Sequence, residues 1–298
     1  MTEPSHARSS SGAGQPDGAD SRAVVRWHAL LCAVAVLNLA LWSLAAFAVA
    51  HGRAAVDAET QAACQIQLLL SAAYVLACAF RSVLPVYDIP RIVLIDSWLS
   101  SVMVGRSVAT VGELCFAAQW ALILHRMALP SHSPFVLAAS LAIVPLIVLA
   151  EGFSWHAVLT TAQRGHVFEN SIWGLSAALV VASVLLTGFH GGADSYPLMI
   201  AWCVGGVAYV LFMFLLDVPM YWLRSLVDRN AGRRYLSLAQ GVLDVCSRRV
   251  VSYRWGDWRS EVAWMSLYFT FGVWSSISIV YACVALGQHH PGWLHFAL

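Results

Sequence analysis

The sequence predicts an all-α integral membrane protein, a bundle of about seven transmembrane helices with its N-terminus in the cytoplasm and its C-terminus outside. The first observation is composition: 59% of the residues are hydrophobic and 11% are charged, whereas soluble domains carry about 25% charged residues. The second is that seven stretches reach the length of about 20 apolar residues that a membrane crossing needs. The third is that arginines concentrate in alternate loops, which is typical of the cytoplasmic side.

The apolar stretches place the spans at 27–50, 63–86, 103–128, 134–156, 166–190, 196–223 and 261–287. Residues 89–102 are predicted to form either an interfacial helix or an extension of the third span. Residues 1–22 are rich in Ser, Gly, Ala and Asp and contain no apolar stretch, which predicts a disordered cytoplasmic tail and no cleavable signal peptide. The remainder, 23–298, is predicted to be a single transmembrane helical domain.

The arginines give the expected orientation. With the N-terminus inside, the cytoplasmic side carries most of them, and only two fall in loops or span ends on the other side, Arg53 and Arg126. The loop 224–260 alone contains eight arginines, interleaved with leucine and valine. That pattern favours an amphipathic helix on an anionic leaflet, with a solvated loop as the alternative. We therefore expect a multi-pass protein of the cell (inner) membrane.

Several function classes are excluded by composition. The chain contains no lysine, so it cannot carry a retinal Schiff base, a lysine-bound pyridoxal phosphate or a P-loop lysine. A net charge of +1 with arginines confined to junctions does not indicate a nucleic-acid partner. The seven cysteines lie mostly in apolar runs without a C-x-x-C pair, which favours buried small hydrophobic side chains.

Ionisable residues inside membrane spans are costly and usually face a cavity or a partner, so each is a candidate site residue. In the predicted topology, such residues of five helices reach one level near the cytoplasmic end. They are Arg106, Glu113, Glu151, His156, His166, Glu169, Asn170, Asp217 and Glu261. This convergence is the strongest functional indication in the sequence. A purely structural cluster, in which Glu113 or Glu151 neutralises Arg106, is the alternative.

Spacing places several of these residues on shared helix faces. The fifth span carries four of them at i, i+3, i+4 and i+7, namely His166, Glu169, Asn170 and Trp173. Arg106 and Glu113 are seven residues apart, and Glu151 and Trp155 are one turn apart. A polar stripe next to tryptophan can position a lipophilic substrate, so we expect a hydrophobic small molecule or lipid as the partner within the bilayer.

Two chemistries suit this set. Proton transfer on a sterol-, terpenoid- or lipid-like substrate, by an isomerase or cyclase, would use Glu113, Glu169, Asp217 and Arg106 as catalytic groups. Asn170, Trp173, Trp155 and Glu151 would then bind the substrate, with the tryptophans offering cation–π faces to a carbocation. No cofactor is predicted for this reaction. A metal-dependent oxidoreductase would instead recruit Glu113, Glu151, His156, His166, Glu169 and Asp217, because His-x-x-Glu at 166–169 is similar to the helical pairs of di-metal bundles.

Two further classes stay open, a proton-coupled transporter with Glu113, Asp217 and Arg106 as its relay, and a ligand-binding membrane protein. Within the enzyme hypothesis, Glu113 lies about 15 Å into its span, at about 1.5 Å per residue, and is expected to be the acid whose proton matters most. Glu169 is closer to the cytoplasmic end and is expected to stabilise positive charge. Glu113→Gln is therefore expected to abolish turnover, and Asn170→Ala or Trp173→Ala to weaken binding.

The stretch from Asp96 to Trp173 resembles the emopamil-binding or EXPERA superfamily of helical membrane proteins, which includes sterol isomerases. The resemblance rests on GELCFAAQWALIL around Glu113, on EGFSW from Glu151 to Trp155, and on ENSIW with Asn170 and Trp173. It covers about a quarter of the chain. The resemblance implies a proton-transfer role for Glu113 and substrate-positioning roles for Asn170 and Trp173.

Overall fold

The computed structural model describes residues 18–51, 58–187 and 196–289. Five spans are single helices: α1 (Gly18–His51), α2 (Ala58–Val83), α3 (Val102–Ser131), α4 (Pro134–Thr160) and α5 (Arg164–Thr187). The last two each contain a π-helical turn: α6 (Tyr196–Phe212), Met213–Asp217 and α7 (Val218–Asn230), then α9 (Trp255–Leu267), Tyr268–Gly272 and α10 (Val273–His289). All seven spans are long and apolar enough to cross a membrane, which confirms the predicted all-α seven-helix membrane bundle.

The predicted N-terminal tail is shorter than expected. Helix α1 already begins at Gly18, so the last five residues of the tail predicted over 1–22 belong to a helix. Its first turn carries Asp20, an acidic side chain at the end where the helix dipole favours negative charge. Residues 1–17 lie outside the described part of the chain.

Helix α3 occupies the centre of the bundle. It packs against α2, α4, α5 and α10, while consecutive helices from α1 to α6 pack against one another and α10 closes the bundle on α1 and α2. A buried polar network fixes α3 against α2 and α10. Gln119 and Gln67 exchange side-chain to backbone hydrogen bonds of 3.1 and 3.2 Å. Ser276 donates its hydroxyl to Gln119 Oε1 at 2.6 Å, and its Oγ lies 2.9 Å from Ser71 Oγ, from which it can accept. Such bonds join helices where burial of apolar surface gives little net gain over lipid.

Local sequence fixes where the helices that carry the candidate site begin and end, and thereby how deep the site residues lie in the bundle. The Ser101 side chain caps α3 by accepting from the Val104 backbone N–H, which leaves Arg106 about one turn inside the helix. The N-terminus of α4 combines the capping residue Ser133 with Pro134 at the first helical position. Helix α4 ends at Thr160 and α5 begins at Arg164, so a short turn brings Glu151 and Glu169 to similar depths.

A small extramembrane layer covers one end of the bundle, which we call the basic end and which comprises residues 84–101 and 231–254. Strands β1 (Val86–Tyr87) and β2 (Ile92–Val93) pair antiparallel, and β3 (Val250–Val251) pairs parallel with β2. A 3₁₀ turn over Trp98–Ser100 leads into α3. The prediction of an interfacial helix or an extension of the third span over 89–102 is therefore wrong, because the backbone there pairs with a strand about 160 residues away in sequence.

The arginine-rich loop does contain a short helix, α8 (Leu238–Ser247), which starts with a capping box between Ser237 and Gln240. The non-helical loop is shorter than predicted, since α7 runs to Asn230 and α9 starts at Trp255. One face of α8 packs on α3 and α4. The fully buried Arg91 fixes it there by donating to Asp244 Oδ2 at 2.8 Å and to the Val158 carbonyl at 2.7 Å.

Candidate functional site

The centre of the site is the guanidinium of Arg106, which lies among three glutamates from three helices. Its Nη2 donates to both carboxylate oxygens of Glu151 at 2.8 and 2.9 Å, and to Glu113 and Glu169 at 3.2 Å each. All four side chains are at least 92% buried. One cation thus faces three carboxylates in a water-poor interior, where unbalanced charge is costly. Because the carboxylates outnumber the cation, carboxyl groups of the cluster can bind exchangeable protons.

Glu151 is oriented from behind by two neighbours. Thr110 donates its hydroxyl to Glu151 Oε2 at 2.5 Å, and the indole N–H of Trp155 donates to Thr110 Oγ1 at 3.1 Å. These bonds connect α3 and α4 on the side of Glu151 away from the cavity. Trp155 therefore supports the cluster indirectly, and the structure does not place its indole among the groups that line the cavity.

Helix α5 contributes the stripe that its spacing predicted. His166 Nδ1 lies 2.6 Å from Glu169 Oε2, and the other face of the imidazole packs against Tyr221, with ring centroids 4.9 Å apart. Asn170 Nδ2 donates to Asp217 Oδ2 at 2.5 Å. His166, Glu169 and Asn170 are all buried, and each contacts a polar or aromatic side chain of another helix, namely Tyr221, Arg106 and Asp217 respectively.

Two π-helical turns supply the remaining polar groups. Asp217 ends the first of them, and Tyr268 begins the second and donates its hydroxyl to Glu113 Oε1 at 2.9 Å. Neighbouring helices pack very closely at both turns, and a glycine allows the contact in each case. A Cβ at Gly174 would lie 2.8 Å from the Phe214 ring, and one at Gly272 would lie 2.6 Å from Tyr74 Oη. Turns of this kind occur frequently at functional sites because they redirect side chains within a helix.

These groups surround a cavity of about 80 Å³, which has room for a few water molecules. Its wall is mostly polar and comes from α2, α3, α5, α6, α7, α9 and both π turns. The lining includes Arg106, Glu113, His166, Glu169, Asn170, Trp173, Tyr209, Asp217, Tyr221, Arg224, Glu261 and Tyr268. Five helical spans and the β1–β2 turn therefore enclose one acid-rich chamber near the basic end.

An open groove of about 690 Å³ adjoins the cavity. Its wall on the sixth span is apolar and consists of Leu215, Leu216, Pro219, Met220 and Leu223. Four residues line both spaces, namely Tyr87, Ile89, Gln163 and Arg224. Burial raises the pKa of the Tyr87 phenol above its ordinary value of 10.0, so this rim residue is neutral at physiological pH. The two spaces thus meet at a shared, partly polar rim.

Several buried polar atoms at or near this rim have no hydrogen-bond partner within the described residues. They are Arg81 Nε, Asp88 Oδ1, Gln163 Oε1 and Arg224 Nη1, and all four residues line the cavity. Arg224 Nη1 does form an ion pair with Glu261 Oε1, at 3.9 Å, which is too long for a hydrogen bond. Arg224 also stacks over the Tyr221 ring, with its guanidinium carbon 5.2 Å from the ring centroid. Because buried polar atoms are normally paired, such unpaired donors and acceptors are typical of a place where water or a polar ligand binds.

Most of the predicted site residues meet at this chamber, but His156 does not. Arg106, Glu113, Glu169, Asn170, Trp173 and Asp217 line the cavity, and Glu151 stands directly behind Arg106. His156 is exposed on the outside of α4. Its expected place in the cavity is wrong, because a residue five positions after Glu151 lies about 140° around the helix from it, at 3.6 residues per turn.

The structure also adds groups that the sequence analysis missed. Tyr209, Tyr221, Arg224 and Tyr268 all line the cavity. Helical spacing contained a signal for two of them, since Tyr221 follows Asp217 by four residues and Tyr268 follows Glu261 by seven. Three more lining residues lie at a helix end or in loops, namely Arg81, Asp88 and Gln163. Periodicity does not predict side-chain direction at such positions.

The three glutamates around Arg106 offer oxygen ligands that suit a metal ion. Carboxylate oxygens of Glu113, Glu151 and Glu169 all lie within 4.8 Å of one another, which is close enough to bind one ion. The Arg106 guanidinium contacts all three carboxylates and already provides a cation between them. The ligand chemistry fits a metal, but the arginine occupies the position that an ion shared by all three glutamates would take.

Comparison with protein-family models, curated proteins and solved structures gives no match to this chain. The resemblance to the emopamil-binding or EXPERA superfamily therefore stays a prediction from short motifs.

Proposed function

We propose that this protein is a membrane-embedded isomerase that moves a double bond in a lipophilic substrate by carboxyl-mediated proton transfer. The observation that carries the proposal is the acid-rich chamber joined through a shared rim to an open apolar groove. An apolar wall suits the body of a lipid, and a small polar chamber suits its reacting end.

The shape of the two spaces narrows the substrate class. The chamber of about 80 Å³ accommodates the end of a slender chain better than a fused ring system. A terpenoid or lipid chain fits this arrangement better than a sterol, and isomerisation fits it better than cyclisation, which needs space to fold the chain. The unpaired polar atoms of Arg81, Asp88, Gln163 and Arg224 would bind a polar substituent near the reacting end.

The chemistry needs one acid and one base on the same chamber. The Glu113 carboxyl gives a proton to one alkene carbon, and a carboxylate, Glu169, removes a proton from the allylic carbon on the other side. The double bond moves by one position and the substrate keeps its composition, so no cofactor is consumed. Arg106 holds both glutamates in place, and Trp173, in the same wall, offers its π face to the transient positive charge.

The experiment is deuterium labelling. Membranes containing the protein are incubated in deuterated water, and lipids that copurify with the protein are analysed by mass spectrometry. The expected result is one deuterium bound to carbon in a lipid that the wild type binds, since the donated proton comes from a group that exchanges with water. Glu113→Gln should bind the same lipid without labelling it, because an amide keeps the shape but lacks the acidic proton.

Glu59→Gln is the matched control, the same change at the start of α2 and away from the cavity lining. Size-exclusion profiles of both variants in detergent show whether they remain folded. If wild type labels no bound lipid, or if folded Glu113→Gln labels as much as wild type, the proton-transfer function is refuted.

The three-glutamate cluster favours a metal-dependent oxidoreductase as the second candidate. Metal analysis of the purified protein separates the two. A stoichiometric transition metal that is lost in Glu151→Gln would support the oxidoreductase. Under the isomerase proposal, Arg106 is the counter-charge of the cluster, and labelling should survive treatment with a chelator.

We also propose that the basic end faces the cytoplasm of a bacterial-type inner membrane. The support is the arginine distribution: the extramembrane layer and its adjoining helix ends carry most arginines, and basic residues are retained on the cytoplasmic side. A cysteine introduced at Ser247, which is exposed on α8, should react with an impermeant maleimide only after cells are broken. Labelling of intact cells would show that the basic end faces the outside and would contradict the proposed orientation.

A further inference from the structure

Two cysteines meet at the end of the bundle opposite the basic end. Cys64 lies near the start of α2 and Cys283 near the end of α10, and their Sγ atoms are 2.7 Å apart. The side chains are 3% and 1% exposed. This separation is less than 1 Å longer than the S–S bond of a disulfide, about 2.05 Å, so little movement joins the two sulfur atoms.

The position of this pair separates it from the candidate site. Cys64 is six residues after the start of α2, and Cys283 is six residues before the end of α10, which is about 9 Å of helix in each case. Both sulfurs therefore lie less than two helical turns from that end of the bundle.

We propose that Cys64 and Cys283 form a disulfide that joins α2 to the last described span. The inference uses the proposed orientation, in which this end faces an oxidising compartment. The oxidant is a protein disulfide of a thiol oxidase. One cysteine thiolate of this protein attacks that disulfide, forms a mixed disulfide with one oxidase sulfur and releases the other oxidase sulfur as a thiolate. The thiolate of the second cysteine then attacks the mixed disulfide at the first cysteine's sulfur and releases the remaining oxidase sulfur. Two electrons pass to the oxidase, and two protons pass to water.

The bond would join α2 covalently to α10, two helices that already pack against each other. It closes a loop between residues 219 apart, and long loops lose the most unfolded-state freedom when they are crosslinked. Since α10 also supplies Ser276 to the central polar network, fixing α10 on α2 keeps that network and the preceding π turn in register.

The test is differential alkylation of the full chain. Membranes are dissolved in denaturant with iodoacetamide and without reductant, and the protein is cut with trypsin. Cleavage at arginine places Cys64 and Cys78 on one peptide, residues 54–81, and Cys283 on the peptide that starts at Ser260. We expect these two peptides to be joined, with one carbamidomethyl group on the first; reductant should separate them.

Cys64→Ser and Cys78→Ser form a matched pair of variants in α2. Cys64→Ser should abolish the joined species and leave Cys283 alkylated, whereas Cys78→Ser should leave the joined species unchanged. If Cys64 and Cys283 are both alkylated in wild type without reductant, or if the link depends on Cys78, the proposal is overturned. The labelling reaction in deuterated water does not enter this test, so its failure would leave the isomerase proposal untouched.

Discussion

Replacing Arg106 by methionine tests whether one guanidinium stabilises the three-glutamate cluster. The variant keeps an unbranched apolar stem but removes a donor that makes four contacts between 2.8 and 3.2 Å. Removing one partner of a buried ion pair costs about 3–5 kcal/mol, because the other charge stays buried without compensation. The glutamates can take up protons, so we expect a loss near the lower limit, about 3 kcal/mol.

The free energy of unfolding is measured in mixed micelles by titration with a denaturing detergent, followed by tryptophan fluorescence. Arg249→Met is the control, because Arg249 also contacts a carboxylate, Asp96, at 3.0 Å, but in a pair whose aspartate is 69% exposed. Exposed pairs contribute less than about 1 kcal/mol. Combining Arg106→Met with Glu151→Gln should restore part of the loss, since the two residues contact each other. Equal losses in the two arginine variants, or additive losses in the double variant, would refute the reasoning.

Two further predictions concern the groove and the extramembrane layer. Leu216→Trp fills the groove and should lower the amount of copurified lipid about tenfold, equivalent to about 1.4 kcal/mol of binding free energy. Leu211→Trp, on the same span but outside the groove, is the control and should leave the amount of lipid unchanged. Equal amounts of lipid in the two variants would show that the substrate binds elsewhere. Gly241→Ala places a Cβ 2.1 Å from the Leu159 carbonyl oxygen and should weaken α8 docking by about 1–3 kcal/mol. Limited trypsinolysis at residues 231–254 measures this weakening, with Gly256→Ala, which has open space, as the control that should not accelerate cleavage.

Sequence alone predicts the spans well because membrane burial acts on whole segments. About 20 apolar residues produce the same signal whatever they pack against, so all seven spans were found. The extramembrane layer was missed for the opposite reason. Its strands are two residues long, and the pairing of Ile92 with Val250 joins segments that no local pattern connects.

Contacts within one helix of the candidate site were predictable from the sequence, and contacts between helices were not. Spacing within one helix predicts shared faces, as for Arg106 with Glu113 and for His166 with Glu169, and both pairs are in contact. Contacts between helices depend on rotation about each helix axis, which one sequence does not fix. That is why His156 was placed in the chamber although it is exposed, and why the contact of Tyr268 with Glu113 was not foreseen.

The π turn at Met213–Asp217 divides the sixth span into two halves with different angular phases. Each residue of an α-helix advances the side chain by about 100°, so one extra residue in a turn offsets everything that follows by that angle. Tyr209 lies before the turn and Tyr221 and Arg224 lie after it, yet all three face the chamber. Loss of a single residue there would keep Tyr209 inward and rotate the later pair toward lipid. The number of residues in this turn therefore sets the rotation of the second half of the span relative to the first. A change of one residue in length decides which polar groups of the span face the chamber.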